Sequence, residues 1–512
     1  MALDPNRGDL VVGVVGTGSM GRGIVQVAAA GGMHVIAYDA NEGAAAKAKD
    51  FIAGMLTRQV EKGSLTADDA KAAVARIEVA SDFAALARAD VVVEAIVERL
   101  DVKQDLFARL DAICGPDAIL ASNTSSLPIT AIAAKCKTPE RVAGLHFFNP
   151  VPLMRLVEVI PGLRTRADVV EALVVIGRRM TREPVVCADS PGFIVNHIGR
   201  AYNPEALRIL SERIATHDAI DRIMTGAAGF RMGPFTLMDL VGLDVGHAVM
   251  ESLHAQYYFE PAYAPSPVMA SRVDGGMIGQ KAGAGWYAYQ DGKKIEQPVR
   301  AKPDGAPGPV WVRPSDHNQD LQEPLLAMLR AGDATIESGP QPSADAIILL
   351  TPVGYDVTTA VAELKFDAAR TVATDVLFGL KGPRTLMVTP ATSPAIRDRA
   401  HALLAIDDQP VVVISDSPGF VAQRIVAQIV NVACNIAQRG IAAPADIDKG
   451  AKLGLGYPFG PLEWGDRLGA GRILFVLERL HAFYQEPRYR PSPWLKRRVA
   501  LGLPLIHPDP SL

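Results

Sequence analysis

Cysteine is scarce: Cys114, Cys136, Cys187 and Cys434 are the only four in 512 residues, too scattered for a disulfide framework or a zinc site. A reducing, cytoplasmic compartment is expected, and no metal. Long apolar runs are missing as well; without about 18 consecutive uncharged apolar residues, no bilayer span is expected. Nor does charge of one sign accumulate. Lys and Arg total 52 against 56 Asp and Glu, a formal net charge of −4, which leaves no electrostatic footprint for nucleic acid. The opening "MALDPNRGDL" has no apolar stretch of the secretory kind. Apolar side chains are plentiful, 49% of the residues, in a chain long enough for several domains of about 100–200 residues each. A small-molecule partner is the expectation left standing.

"LVVGVVGTGSMGRGIVQVAAAGGMHVIAYDA" predicts a strand over Leu10–Val15, a glycine-rich turn, a helix over Ser19–Ala30 and a strand over Met33–Tyr38. That is one βαβ unit. Gly16, Gly18 and Gly21 are spaced G-x-G-x-x-G, for a tight turn, close approach of a pyrophosphate and close helix–strand packing. Ser19 and Met20 open the helix, whose N-terminus then faces the phosphates. Asp39 stands 21 positions after Gly18, where a carboxylate binds both ribose hydroxyls and repels a 2′-phosphate. Ala40 and Asn41 follow with no Arg or Lys, so NAD is expected rather than NADP. Further on, strand and helix patterns alternate to "RVAGLHFFNPVPLMRLVEVIPG", the signature of a doubly wound α/β sheet. Polar clusters from Glu94 to Glu98, Asn123 to Ser126 and His146 to Asn149 fall at strand ends, where such sheets bind ligands.

His146 alone would pass for a hydrogen-bonded structural residue. Glu158, set among Leu156, Val157, Val159 and Ile160, is different, because an ionised carboxylate in an apolar strand needs a partner. An imidazole oriented by a carboxylate is what proton abstraction from a hydroxyl requires. Taken with these residues, "GTGSMGRG", "EAIVE", "SNTSSL", "GLHFFNPVPLMRLVEVI" and "DSPGFIVN" resemble the L-3-hydroxyacyl-CoA dehydrogenase family over roughly Leu10 to Tyr289. The resemblance implies an acyl-CoA substrate, His146 as base, Glu158 as its orienting partner, and Ser125 and Asn196 as groups that hold the substrate oxygen. It also implies that Glu98 and Lys103 lie near the nicotinamide ribose and Asn149 beside the nicotinamide, with Asn123 among the cofactor-binding residues. For Glu98, Lys103 and Asn149, a solvated rim or loop bond remains an alternative.

"DSPGF" occurs twice, at Asp189–Phe193 and Asp416–Phe420, and a shift of 227 also carries Gly233-Pro234 to Gly460-Pro461, Asp239 to Asp466 and Gly242 to Gly469. This is an internal duplication. Asn196 maps to Gln423, Met387 stands at the Glu158 position of "LVEVIPG" against "TLMVTPA", and no glycine fingerprint precedes the second copy. "ADAIILLTPVGYDVTTAVAELKFDAA" resembles "ADVVVEAIVERLDVKQDLFARLDAI". The helix of the second copy is expected to be regular; Pro204 is expected to kink or break its first-copy equivalent.

The expected organisation is therefore a Rossmann-like α/β domain (1–188), a first helical domain (189–290), a Pro- and Gly-rich linker (291–341) whose "VWV" is a possible short strand, a degenerate nucleotide-domain remnant (342–413) and a second helical domain (414–512). One active site is expected, with the tandem helical domains forming an internal pseudo-dimer and homo-oligomerisation left open. No hydratase-like domain is seen ahead of the glycine loop, and the length resembles the phenylacetate-degradation branch acting on 3-hydroxyadipyl-CoA. Arg200 and Arg231 are candidates to meet a distal carboxylate, although surface solvation explains them equally. The alternatives are a sugar-acid dehydrogenase of the crystallin-like branch, disfavoured by "HFFNPVPLMRLVE" against "HPVNPPYYIPLVE", and a nucleotide-binding structural or sensor protein, disfavoured by the complete His–Glu pair.

Overall fold

The computed structural model describes residues 3–315 and 317–510. It divides into two compact units that do not follow the linear boundaries: the chain up to His197 joined by Arg439–Leu455, and Ile198–Gln438 joined by Gly456 onward. The expected cut at residue 188 is thus displaced, because part of the second repeat packs with the first sheet. Among the described residues, no helix is long and apolar enough to cross a membrane.

The first unit is built on an eight-stranded sheet in the order β3-β2-β1-β4-β5-β6-β7-β8. Its strands are β1 (Val11–Val15), β2 (His34–Tyr38), β3 (Ile77–Ala80), β4 (Val91–Glu94), β5 (Ile119–Ser122), β6 (Val142–Phe147), β7 (Leu156–Pro161) and β8 (Glu183–Val186). Only β6 and β7 run antiparallel. Both faces are covered, so the strands read as unbroken apolar runs: Val12, Val14, Val91, Val93, Leu145 and Val159 are all fully buried. The helix Ser19–Ala30 forms where the sequence places it and buries Ile24, Val25 and Ala28.

The second unit holds a sheet as well as helices. Five strands, β9 (Val310–Val312), β10 (Ile347–Leu350), β11 (Thr371–Thr374), β12 (Arg384–Val388) and β13 (Val411–Ser415), lie in chain order. Only β11 and β12 are antiparallel. This repeats the β4–β8 half of the first sheet and lacks its β1–β3 half. The stretch expected to be linker is therefore partly folded: β9 and the helix Gln319–Ala331 place Val310, Val312, Leu325 and Leu329 in the second core. The possible strand at "VWV" is formed, as β9, directly after the proline and glycine of 303–309.

Asp189 and Asp416 show why "DSPGF" is repeated. Asp189 accepts hydrogen bonds from the amides of Ile129 and Thr130 at 2.9 and 2.7 Å, and Asp416 from those of Val357 and Thr358 at 2.7 and 2.8 Å. Each carboxylate closes the N-terminus of the helix after β5 or β10. The pairing makes β10 the counterpart of β5, so "ADAIILL" matches "PDAILAS" rather than "ADVVVEA". It also moves Met387. In the first sheet Glu158 sits opposite Val185; in the second, Thr385 sits opposite Val412, the residue 227 positions after Val185. Thr385, not Met387, occupies the Glu158 position. One step beyond the Thr374–Leu386 pair, Asp375 takes the place of His146.

Two further expectations change. The helix Val195–Ser211 runs through Pro204 without a break, held by buried Ala201, Tyr202, Ala206 and Leu207. Arg200 is not a solvated surface group; it is 9% exposed, and burial lowers its pKa to about 10 beside Tyr457. Arg231 is exposed. The helix Ala422–Gln438 is regular and almost wholly buried. Its Arg424 bonds Glu205 at 2.5 Å, Glu212 at 2.7 and 2.9 Å, and Tyr489 at 2.7 Å, while Arg488 reaches Glu205 at 3.0 Å. Two cations and two carboxylates balance inside the helical core.

Burial raises the Asp375 carboxyl to about 6, against hydrogen bonds from Gln423 and the Leu377 amide. Between about pH 4 and pH 6 the folded chain then binds more protons than the unfolded one, so this group's contribution to stability falls as pH rises. Asp375→Asn should raise Tm at pH 7.5 by more than at pH 4.5, the difference reflecting on the order of 2 kcal/mol. Calorimetry at the two pH values, with kcat unchanged, is the check.

Candidate active site

The glycine loop joins β1 to the helix Ser19–Ala30. Gly16 has φ +87°, and a Cβ there would lie 2.7 Å from the Ala95 carbonyl oxygen; at Gly21 it would lie 1.7 Å from that of Gly16. Only glycine fits either place. A Cβ on Gly18 would meet nothing within 4 Å, so the backbone there faces open space at the helix N-terminus, with exposed Ser19 and half-buried Met20 beside it. This cradle fits a dinucleotide pyrophosphate. Asp39 ends β2 with its carboxylate turned to the loop, accepting from the Thr17 amide and hydroxyl at 2.7 and 2.9 Å and from the Asn41 amide at 2.9 Å. Partial burial alone would raise its pKa, but the bonds from Asn41 and Thr17 hold it below the ordinary carboxylate range. A fixed, ionised acid at this point suits a ribose diol.

Around β4 the solvated-rim alternative for Lys103 falls away. Lys103 is 1% exposed, its ammonium paired with fully buried Glu94 and 3.3 Å from Glu98. It therefore anchors the end of β4 from within and stands beside Glu98. Ser122 donates to Glu94 at 2.7 Å and the Ile96 amide does so at 2.7 Å, so Glu94, which opens a polar cluster in the sequence, is a structural node. Glu98 collects the Thr124 hydroxyl at 2.6 Å and the amides of Ser125 and Ser126 at 3.0 and 3.2 Å. Burial would raise its pKa, but Lys103 and these donors lower it overall. It thereby sets the loop that carries Ser125.

The central pair is formed as the sequence suggested. His146 on β6 and Glu158 on β7 are directly opposite in the antiparallel ladder, with Nδ1 2.7 Å from Oε2. Both are buried, at 5% and 1% exposure. The other carboxylate oxygen accepts the amides of Ile194 and Val195, each at 3.0 Å. Those donors escaped the sequence reading because backbone amides leave no mark in side-chain chemistry, although "DSPGF" immediately precedes them. With Nδ1 committed to Glu158, Nε2 is the nitrogen left for a substrate proton. Phe148 and Phe193 flank the ring at 4.5 and 5.9 Å between centroids. Asn196 donates to the Ser125 carbonyl at 3.3 Å, bringing those two residues together. Asn123 accepts the Phe147 amide at 2.8 Å, and Asn149 is exposed.

A dinucleotide loop and a buried His–carboxylate pair on one sheet fit a nicotinamide-dependent dehydrogenase acting on a hydroxyl carbon. Residues 11–190 match the family description "3-hydroxyacyl-CoA dehydrogenase, NAD binding domain", and residues 192–289 and 419–504 both match "3-hydroxyacyl-CoA dehydrogenase, C-terminal domain". The chain belongs to the 3-hydroxyacyl-CoA dehydrogenase family, and its cofactor is NAD. It is 39% identical over 490 residues to 3-hydroxyadipyl-CoA dehydrogenase of Escherichia coli K12, covering 96% of this chain and 97% of that one. A probable 3-hydroxybutyryl-CoA dehydrogenase of Deinococcus radiodurans is 42% identical over 277 residues, 54% of this chain and 99% of its own. The crystal structure of 3-hydroxybutyryl-CoA dehydrogenase from Escherichia coli K12 superposes with a TM-score of 0.84 at 38% identity, covering 96% and 98% of the two chains.

Asp39→Ala removes the ribose acceptor and the repulsion of a 2′-phosphate together. It should raise KM for NAD by about tenfold, the loss of one or two charge-assisted bonds, while improving NADP use. Steady-state kinetics with both cofactors measure the narrowing.

Proposed function

We propose that the chain oxidises the 3-hydroxyl of an L-3-hydroxyacyl-CoA at one site, with His146 as the base. The 2.7 Å contact between His146 and Glu158 carries this reading. In the direction of oxidation, Nε2 takes the hydroxyl proton, and the imidazolium formed is stabilised by a carboxylate that two amides already hold in place. In reduction, the same proton returns to the oxygen at C3. Bound NAD supplies the acceptor for the hydride that leaves C3. Ser125 and Asn196 hold the substrate oxygen as its charge changes. Gly16, Gly18, Ser19, Met20 and Gly21 seat the pyrophosphate and Asp39 the ribose. Glu98 and Asn123 shape the nicotinamide end, with Asn149 at its rim and Lys103 supporting Glu98 from behind.

The substrate we favour has a distal carboxylate, as in 3-hydroxyadipyl-CoA, because a relative of that name is 39% identical over 96% of this chain and 97% of its own. The setting we read for it is aromatic-acid or fatty-acid breakdown in the cytoplasm, in keeping with a chain poor in cysteine. The second half, with Asp375, Thr385 and Gln423 at the positions of His146, Glu158 and Asn196, lacks an imidazole base; one NAD per chain and an internal pseudo-dimer of the helical domains follow. Initial rates should be higher on 3-hydroxyadipyl-CoA than on 3-hydroxybutyryl-CoA; the reverse order would assign the shorter acyl chain.

His146→Gln should lower kcat by about 10²–10⁴-fold with NAD affinity retained, since the base acts only in the chemical step. Glu158→Gln should lower kcat less and move the midpoint of the kcat–pH profile downward, as the imidazolium loses its counter-charge. Near-normal turnover by His146→Gln would remove the assignment.

A further inference from the structure

The helix Pro444–Gly454 belongs by sequence to the second repeat, yet it packs within the first unit. Its approach is fixed by backbone contacts. Cys187, just past β8, bridges to Ala442, the Ala188 amide donates to the Ile441 carbonyl at 2.7 Å, and the Val186 amide lies 3.4 Å from Asp446. These contacts close the free edge of β8. From there the helix crosses onto Ile194 and Val195. A Cβ on Gly450 would lie 2.8 Å from Ile194 Cγ2; one on Gly454 would lie 2.7 Å from Val195 Cγ2 and 2.9 Å from Leu156 Cδ2. Ile194 and Val195 are the residues whose amides hold Glu158.

The other copy makes the comparison. In the second unit, Ser415 donates to the Ile214 carbonyl at 2.8 Å, the same bond displaced by 227 positions at both ends. The helix that follows it, His217–Gly226, carries Ile223 at the position of Gly450, and Ala227 follows it at that of Gly454. It packs on β13, and the neighbouring β12 presents Thr385 where the first sheet has Glu158. At the two positions that face Ile194 and Val195 the first sheet's helix thus carries glycine, and its counterpart carries Ile223 and Ala227, its own close glycine contact being Gly226 against Pro383.

We propose that Gly450 and Gly454 are positioning residues for the dehydrogenase reaction: by seating the second repeat's helix directly on Ile194 and Val195, they fix the two amides that hold Glu158 and, through it, His146. The inference rests on the roles given to His146 and Glu158 above. Val195 is β-branched and stiff at χ1, so an added methyl at 454 is relieved by movement of residues 194–195 rather than by a rotamer change. The amides then turn away from Glu158 and the imidazole loses its alignment.

Gly454→Ala in the full-length enzyme should lower kcat by about tenfold, as expected for a sub-ångström misplacement of a base. KM for NAD should stay unchanged, and the kcat–pH midpoint should move in the direction seen with Glu158→Gln. Adding Val195→Ala, which removes the methyl carbon at 2.7 Å and leaves only the flexible end of Leu156 at 2.9 Å to give way, should restore most of the lost kcat and the original profile. Gly450→Ala, which meets one Ile194 methyl, is the milder variant if Gly454→Ala does not fold. A fall in Tm with kcat and pH profile of the folded enzyme unaltered would show a merely structural role and overturn the proposal, as would failure of Val195→Ala to rescue. If Glu158→Gln itself leaves kcat and its pH profile unchanged, the His146–Glu158 reading falls and this inference with it; if Glu158→Gln alters both while the glycine variants alter neither, only this inference falls.

Discussion

A carboxylate buried inside a β-strand is the constraint on which the catalytic half of this protein depends. An unpaired Glu158 at 1% exposure would cost several kcal/mol. It is matched by one imidazole and two backbone amides, and each partner imposes a condition on the fold. The imidazole requires β7 to turn back antiparallel to β6, in a register that sets His146 opposite Glu158. The amides require the chain after β8 to turn sharply, which it does at Gly192 and Phe193, with φ of +77° and +49°. The same arrangement that makes the charge tolerable leaves Nε2 of His146 as the group that exchanges a proton.

The repeated "DSPGF" separates scaffold from chemistry. In both copies the aspartate receives two backbone amides at the start of a helix, and in both the phenylalanine adopts φ +49°. Those are requirements of backbone geometry, and they persist in each copy. The catalytic positions do not. Asp375 is hydrogen-bonded at 2.9 Å to Gln423, whose carbonyl accepts the Gly354 amide at 2.9 Å, a closed polar knot with no imidazole in it. Duplicated side chains that support the turn have been kept, while those that would move a proton have been replaced by ones that satisfy each other.

Periodicity and motif spacing by themselves determined the βαβ opening, the helix Ser19–Ala30, the dinucleotide loop with Asp39, the His146–Glu158 pair and the duplication. All are local patterns, or pairs whose burial demands a partner. Tertiary structure alone decided three things. It joined the possible strand at "VWV" to β10 and folded the helix Gln319–Ala331 in a stretch expected to be linker, because a three-residue strand gains its place only through its neighbour. It decided between the two readings of Lys103 left open by sequence by turning it inward to Glu94, since whether a charge on a helix is solvated depends on the sheet it faces. And it placed Pro444–Gly454 against Ile194 and Val195, a contact between residues about 250 positions apart that no local pattern encodes, because it arises only when packed backbones come close enough to exclude a side chain.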